Sequence, residues 1–302
     1  MTPLVLFHKN CLDGFSASFA AWKAFGNEAY YRPIQYGDIK SIDDVHKLGD
    51  LKRNIYIIDF SFSKEIMDYI ISESITTTWL DHHKTGFEMW CGMEYNIATA
   101  FMYSSSKLDI ILDNNRSGAL IAWEYFHPGT KIPVFIKHVD DGDRWQFKME
   151  HTKAFTKAIW SYAPWTFDMF NEMFFNDNVE EQNYMELILE GNAILKAHDA
   201  NVQSVLRGAT RPCKIRVRDD VLSGLAANCP PHLQSDVGHA LAKQSNTFGL
   251  LWYINKDNLC LCSLRSIGDY DVSALAKYFG GGGHRTAAGF TIEVLELLKW
   301  LS

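Results

Sequence analysis

Four short stretches of this chain gather side chains able to bind metal or move protons. They are His8-Lys9-Asn10-Cys11-Leu12-Asp13-Gly14, the lone Asp59, Asp81-His82-His83, and Asp140-Asp141-Gly142-Asp143. Carboxylate oxygens and imidazole nitrogens together suit manganese, or another octahedral divalent ion, better than thiolate-bound zinc. One carboxylate can bridge two ions. A pair of ions about 3.5–4 Å apart supplies hydroxide at neutral pH and stabilises both the attacking and the leaving oxygen of an in-line phosphoryl displacement. Each stretch alone has a plainer account. A single Asp after a strand is commonly a cap or a turn former, and paired histidines are commonly one buried and one exposed. The 140–143 cluster by itself reads as a solvated acidic loop turned by Gly142, with its repulsion relieved by Arg144 or by a cation. Recurrence of the same residue types in four separate elements favours the metal.

Those residues follow apolar runs that must place them. Leu4 to Phe7, Asn54 to Asp59 and Thr76 to Leu80 read as strands. Helical spacing runs from Ser16 to Phe25, Lys64 to Ser74, Gly118 to Phe126 and Pro133 to Val139. Strands alternating with helices imply right-handed crossovers and a parallel sheet. Ligands of such sheets bind outside the carboxyl ends of the strands, so the tips after Phe7, Ile58 and Leu80 are the expected site. From Ala163 to Arg207 the strands stop and long helical patterns take over. Strand-like runs then return at Ile215 to Arg218, Phe248 to Ile254 and Leu259 to Leu264, with helical patterns at Val237 to Lys243 and Val272 to Phe279. The expected fold is α/β. An N-terminal parallel-sheet domain (1–178) is joined by a helical linker (179–207) to a smaller α/β domain (208–302).

The chain has 302 residues, with 29 Lys and Arg against 36 Asp and Glu, a net charge of −7. A general binder of duplex DNA needs a broad array of cations over the phosphates, so that class is disfavoured, whereas a short anionic substrate in one local pocket is not. Hydrophobic residues at 47% are ample for real cores and exclude global disorder. Cys11, Cys91, Cys213, Cys229, Cys260 and Cys262 include no C-x-x-C pair, and reduced thiols are expected. Met1-Thr2-Pro3 leads straight into Leu4 without a cationic leader, and nowhere do about 18 apolar residues run on uncharged. A cytoplasmic protein without a membrane partner is expected; a homo-oligomer stays open. The basic run Arg207, Arg211, Lys214, Arg216, Arg218 alternates with Ile215 and Val217 and reads as one solvated strand face.

In order, His8-x-Asn10-x-x-Asp13-Gly14, the strand ending at Asp59, Asp81-His82-His83, the 140–143 cluster and Gly280-Gly281-Gly282-Gly283-His284 resemble the motifs of the DHH phosphoesterase superfamily. The resemblance spans nearly the whole chain, including the Gly-rich signature of the C-terminal DHH-associated domain. Asp-His-His alone is weak; the ordered set is specific. Members include single-strand exonucleases, nano-RNases, cyclic-dinucleotide phosphodiesterases, exopolyphosphatases and manganese pyrophosphatases. The resemblance implies a hydrolase, a nuclease or other phosphodiesterase using two Mn2+ ions, with Mg2+ or Co2+ as substitutes. Its substrate would be a short single-stranded oligonucleotide or a small nucleotide phosphodiester. An exopolyphosphatase is the runner-up, and a nucleotide-binding protein with reduced catalysis the alternative of another class.

By position, the resemblance makes His8 and Asp59 ligands of a first ion, and Asp13, Asp59 and His82 ligands of a second. Asp81 becomes a ligand or the partner that orients His82, and His83 faces the phosphate. In the acidic cluster Asp141 is the first choice as remaining ligand and Asp143 the next. In the C-terminal domain Arg265 and His284 become phosphate contacts, and Gly281, Gly282 and Gly283 turn backbone amides toward the anion; a simple helix end is the plainer account of the glycines. Asp59, His83, Arg265 and His284 form the implied catalytic set. One position departs from the pattern. Many members carry an Asp two residues before the Asp-Gly pair, where this chain has Cys11. It is either a thiolate ligand or a small buried hydrophobe. The first metal site is then softer, weaker or completed by water, and single-metal chemistry stays open.

Overall fold

The run Leu4–His8 forms the first strand, β1, because its alternate side chains meet two different apolar layers. Val5 and Phe7 enter a core shared with helices on one face of a sheet, while Leu4 and Leu6 enter a second core on the other. Burial on both faces explains why the strand has no polar alternation. In a computed structural model, which describes residues 1–91, 100–175 and 180–301, the chain divides into two compact units, Met1–Leu195 and Lys196–Ser302.

The first unit continues with α1 (Leu12–Phe25), β2 (Tyr30–Ile34), β3 (Asn54–Ile58), α2 (Lys64–Glu73), β4 (Thr76–Asp81), α3 (Lys84–Cys91), β5 (Ala100–Ser104) and β6 (Leu108–Asp113). Helices α4 (Gly118–Phe126), α5 (Val134–Asp143), α6 (Thr152–Ser161) and α7 (Phe167–Phe174) follow. The sheet order is β2-β1-β3-β4-β6-β5, parallel except for the β5–β6 pair. Residues of α1, α4, α5, α6 and α7 cover one face; residues of α2 and Phe87 of α3 cover the other. Ile55, Ile57 and Ile58 of β3 are fully buried, each contributing about 1.5–3 kcal/mol of burial free energy. Strand β2 was not legible in the sequence because Pro33 interrupts it. It lies at the sheet edge, where a missing N–H is tolerated.

Helix α8, Glu180–Gly208, runs unbroken over the stretch read as a helical linker (179–207), and the division between the units falls inside it. The expected 178/179 boundary lies outside the described residues. The second unit holds β7 (Arg211–Val217), β8 (Asp220–Asn228), α9 (Gln234–Ser245), β9 (Phe248–Ile254), β10 (Leu259–Ser266), α10 (Val272–Tyr278), β11 (Gly282–His284), β12 (Ala287–Glu293) and α11 (Val294–Trp300). Its sheet runs β11-β12-β10-β9-β8-β7, with only β8 and β9 parallel. In β7 Arg211, Lys214 and Arg216 are exposed while Cys213 and Ile215 are buried, the solvated strand face expected of the basic run. Among the described residues no helix is long and apolar enough to cross a membrane.

Candidate metal centre

Register alone brings three of the four motifs together. Phe7 pairs with Ile58, and Ile58 with Leu80, so His8, Asp59 and Asp81 stand at one level where the sheet ends. The chain reverses its direction of travel across the sheet between β1 and β3, and at such a switch point the strand ends open a crevice. Two non-glycine residues there occupy the left-handed region, Asn10 (φ 54°) and Asp59 (φ 52°). Such backbone costs energy and is held only by surrounding structure; here the Asp59 N–H donates to Leu80 O at 2.9 Å.

Asp59 is 1% exposed, and neither carboxylate oxygen has a hydrogen-bond partner. Its neighbours are close yet misaligned for hydrogen bonds. His82 Nε2 lies 3.2 Å from Oδ1 and His8 Nδ1 lies 3.6 Å from Oδ2. His8 Nδ1 is itself buried and unpartnered. A buried carboxylate without hydrogen bonds is costly, whereas lone pairs converging on one point are what a cation needs. Three overlapping donor groups result, each with ligand atoms within 4.8 Å of one another: His8, Cys11 and Asp59; Asp59, His82 and His83; and Asp13, His82 and Asp143. Asp59 and His82 each belong to two of them. The residues present thus fit one or more divalent ions on the strength of their own orphaned atoms.

The electrostatics agree in sign. Burial would raise the Asp59 carboxyl, but His8, His82 and His83 outweigh it and hold it well below the usual carboxylate range. Burial, then Asp59 and Asp143, push Asp13 well up, with His82 opposing. Burial would lower His82, but Asp59, Asp143 and Asp13 raise it well above its ordinary value. Burial and the carboxylates of Asp59, Asp143 and Asp13 push the Cys11 thiol up. A divalent ion among these groups would displace protons and relieve the acid–acid repulsion.

Asp13 lies on the first turn of α1, which starts at Leu12 rather than Ser16. Its oxygens accept from the N–H groups of Gly118 (2.7 Å) and Ala119 (2.8 Å), so Asp13 also caps α4. Two glycines make the centre dense. A Cβ at Gly118 would stand 2.5 Å from Asp59 Cβ, and one at Gly14 would collide with the His8 carbonyl. Gly118 escaped the sequence reading; Ser117-Gly118 at the head of a helical pattern after β6 was the available signal.

The acidic cluster divides its three carboxylates among three tasks. It forms the last turn of α5, not a loop. Asp140 pairs with Arg144 (2.7 Å) and accepts from the Ser117 N–H (2.7 Å). Asp141, expected first as a ligand, is not brought to the centre. It accepts from Lys148 N–H (2.8 Å), Met149 N–H (3.0 Å) and the Thr152 hydroxyl (2.6 Å), so its lone pairs pin the following loop. Asp143 is the member that reaches His82, with Oδ2 3.5 Å from Nε2. Asp81 likewise stands outside the three donor groups. Its Oδ2 accepts from the Ser61 hydroxyl, and its Oδ1 lies 2.6 Å from His83 Nδ1, so the ring it orients is His83, while the His82 N–H donates to the same oxygen.

In the second unit Arg265 is the penultimate residue of β10. Its guanidinium donates to Ser263 Oγ (2.8 Å), Leu264 O (2.9 Å) and Ser235 Oγ (3.1 Å), and among the described residues no carboxylate pairs with it. Gly238 of α9 packs on the Arg265 stem, where a Cβ would stand 2.6 Å from Cγ. The four glycines do not form one amide nest. Gly280 N–H donates to Lys277 O and Gly281 N–H to Ala276 O, both spent on the end of α10. Gly282, Gly283 and His284 pair as β11 with Gly289, Ala288 and Ala287. An open groove of about 510 Å³ borders this hairpin, with Tyr253, Ser263, Phe279 and Gly281 in its lining.

Residues 230–301 match the DHHA1 domain family. The chain is 30% identical over 308 residues to uncharacterized protein R106 of Acanthamoeba polyphaga mimivirus, covering 97% of this chain and 68% of that one. It is 23% identical over 320 residues to oligoribonuclease NrnB of Bacillus subtilis, covering 97% and 74%. A solved pGpG-specific phosphodiesterase, PggH of Vibrio cholerae, superposes over 99% of this chain and 96% of its own at 12% identity, with a TM-score of 0.48.

Proposed function

The chain belongs to the DHH phosphoesterase superfamily and carries a C-terminal DHHA1 domain, and from that premise we propose that it is a divalent-metal phosphodiesterase of short oligonucleotides. The observation that carries the reading is the buried Asp59 carboxylate, without a hydrogen bond on either oxygen and flanked by His8 and His82. His8, Asp13, Asp59, His82 and Asp143 would hold the ions, manganese being our choice for a set dominated by carboxylate oxygen and imidazole. Bound there, divalent ions would ease the ionisation of water and neutralise charge on the attacking and leaving oxygens.

The protein's own groups supply position. Asp81 fixes the His83 ring through Nδ1, and Nε2 is the ring atom we assign to a phosphate oxygen. Arg265 and His284 are the proposed phosphate contacts of the second unit. Ser263 and Ser235 hold the Arg265 fork in one orientation, which suits planar recognition of phosphate. The substrate assignment draws on the printed activity of NrnB, an oligoribonuclease, and on the mild net charge of −7. The test is hydrolysis of a panel of dinucleotides, cyclic dinucleotides, longer single strands and polyphosphate with manganese. Dinucleotide cleavage is the expected result. Binding of nucleotide without turnover of any substrate would sink the enzyme reading, and polyphosphate turnover alone would replace the phosphodiester with a phosphoanhydride.

A further inference from the structure

The donor set at the strand tips is not uniform. Two groups, Asp59 with His82 and His83 and Asp13 with His82 and Asp143, offer only nitrogen and oxygen, whereas the other side of Asp59 offers His8 nitrogen and Cys11 sulfur. Cys11 is the residue before α1, yet its side chain makes no capping hydrogen bond with the helix. Its setting differs from that of Cys213, Cys229, Cys260 and Cys262, which are buried within hydrophobic clusters of the second unit. Independently of the sulfur, three buried atoms point to a missing partner at the same place. They are His8 Nδ1 and the Asp59 carboxylate, the latter 1% exposed with neither oxygen hydrogen-bonded. Hydrophobic filling accounts for the sulfur alone and leaves those atoms orphaned.

We infer that Cys11 is a metal ligand, so that His8, Cys11 and Asp59 form a thiolate-containing site for a borderline ion such as Zn2+, Co2+ or Fe2+, beside a harder nitrogen–oxygen site that shares Asp59. The inference deepens the metal reading above and rests on it. Thiolate favours softer ions and carboxylate harder ones, so the two positions select unlike ions. When the S–metal bond forms, the thiol proton passes to solvent and the sulfur keeps its electron pair for the metal. No redox partner is needed.

Cobalt titration of the metal-free full-length protein under anaerobic conditions tests this without reference to turnover. Visible d–d bands report cobalt bound by any donors; a near-ultraviolet thiolate-to-cobalt charge-transfer band reports sulfur. The expected result is both signals in the wild type, with the charge-transfer band lost in Cys11→Ala and Cys11→Asp while the d–d bands persist. Cys11→Asp should also shift the competition between zinc and manganese toward manganese by about tenfold or more, as exchange of a soft donor for a hard one requires. Should both variants fail to fold, zinc-edge X-ray absorption on the wild type replaces them, with a sulfur neighbour at about 2.3 Å expected. In that case, protection of Cys11 from alkylation by bound zinc, located by peptide mass spectrometry, must accompany it. Visible bands without a Cys11-dependent charge-transfer band would overturn the sulfur ligand and leave the metal reading standing. Absence of every cobalt band would overturn both.

Discussion

Asp59 and Arg265 are opposite charges placed alike, each near the end of a strand and each beside a glycine that leaves no room for a Cβ, yet their surroundings differ in kind. Neither oxygen of Asp59 has a hydrogen bond. Three protein oxygens accept from the guanidinium of Arg265. The first arrangement is unstable on its own terms and stabilises whatever cation completes it. The second is complete as a hydrogen-bonded unit and fixes the direction of a positive charge. The first unit thus buries a carboxylate that no hydrogen bond satisfies, and the second holds a guanidinium in one orientation.

The largest expected effect breaks the first half of the contrast. Asp59→Asn removes the charge shared by two donor groups, and turnover is expected to fall by about three orders of magnitude or more. The manganese-induced rise in Tm should vanish with it, because binding to the folded state alone produces that rise. In buffer without metal the variant should be less stable than the wild type at neutral pH, because His8, His82 and His83 lose their counter-charge. Wild-type turnover together with an intact manganese shift would dissolve the contrast.

Asp141 and Asp143 sharpen it within two residues. Asn at 141 sets an NH2 donor against one of the Lys148 and Met149 N–H groups, and a loss of about 1–3 kcal/mol in denaturant stability is expected. Asp143→Asn should change stability little and weaken manganese binding instead, because its carboxylate faces His82 and Asp13. Urea unfolding and manganese titration of both variants decide it; exchanged phenotypes would restore Asp141 as the ligand.

The second half of the contrast is tested by Arg265→Lys, which keeps the charge and loses the fork. KM is expected to rise about tenfold, roughly 1.4 kcal/mol, with kcat affected less and the manganese shift in Tm unchanged. A fall in Tm with KM unmoved would mean that Arg265 only braces β10 against α9.

The strand tips were legible because His8, Asp59 and Asp81 each follow a run of apolar residues that reads as a buried strand, and parallel register does the rest. The division of labour in the acidic cluster was not. Asp141 and Asp143 differ in role because the loop after α5 turns the Lys148 and Met149 amides back toward Asp141, and nothing in the local residue pattern announces that return. Gly118 was hidden for a related reason. Its importance lies in a close approach to Asp59 across the fold, not in any special backbone angle. The glycine run misled in the opposite direction, suggesting an anion nest where Gly280 and Gly281 close a helix. Strand β8 was obscured by Gly224 and by Ala226 and Ala227, residues with little preference for extended structure, which fit here because Phe248 packs against Gly224.

A third buried ionisable group completes the contrast between Asp59 and Arg265. His138 is fully buried, with Nδ1 2.9 Å from Thr152 Oγ1 and Nε2 2.8 Å from Tyr184 OH. Thr152 in turn donates to Asp141, so the ring supports the loop that Asp141 holds. Burial pushes His138 down to about 4, against an ordinary value of 6.5, even though Asp141 pulls the other way. The sign follows from proton counting. Below 6.5 the unfolded chain takes up a proton that the folded chain refuses until about 4, so stability falls with pH across that window and is untouched above it. Replacement by Gln keeps a donor and an acceptor and removes the titration. His138→Gln should therefore be somewhat less stable at neutral pH and lose less of its stability on acidification, read as urea midpoints across the same window. Parallel curves for the two proteins would show that the acid sensitivity arises elsewhere, with the raised Asp13 excluded as its source because its shift has the opposite sign: a carboxyl raised in the folded state adds stability as pH falls.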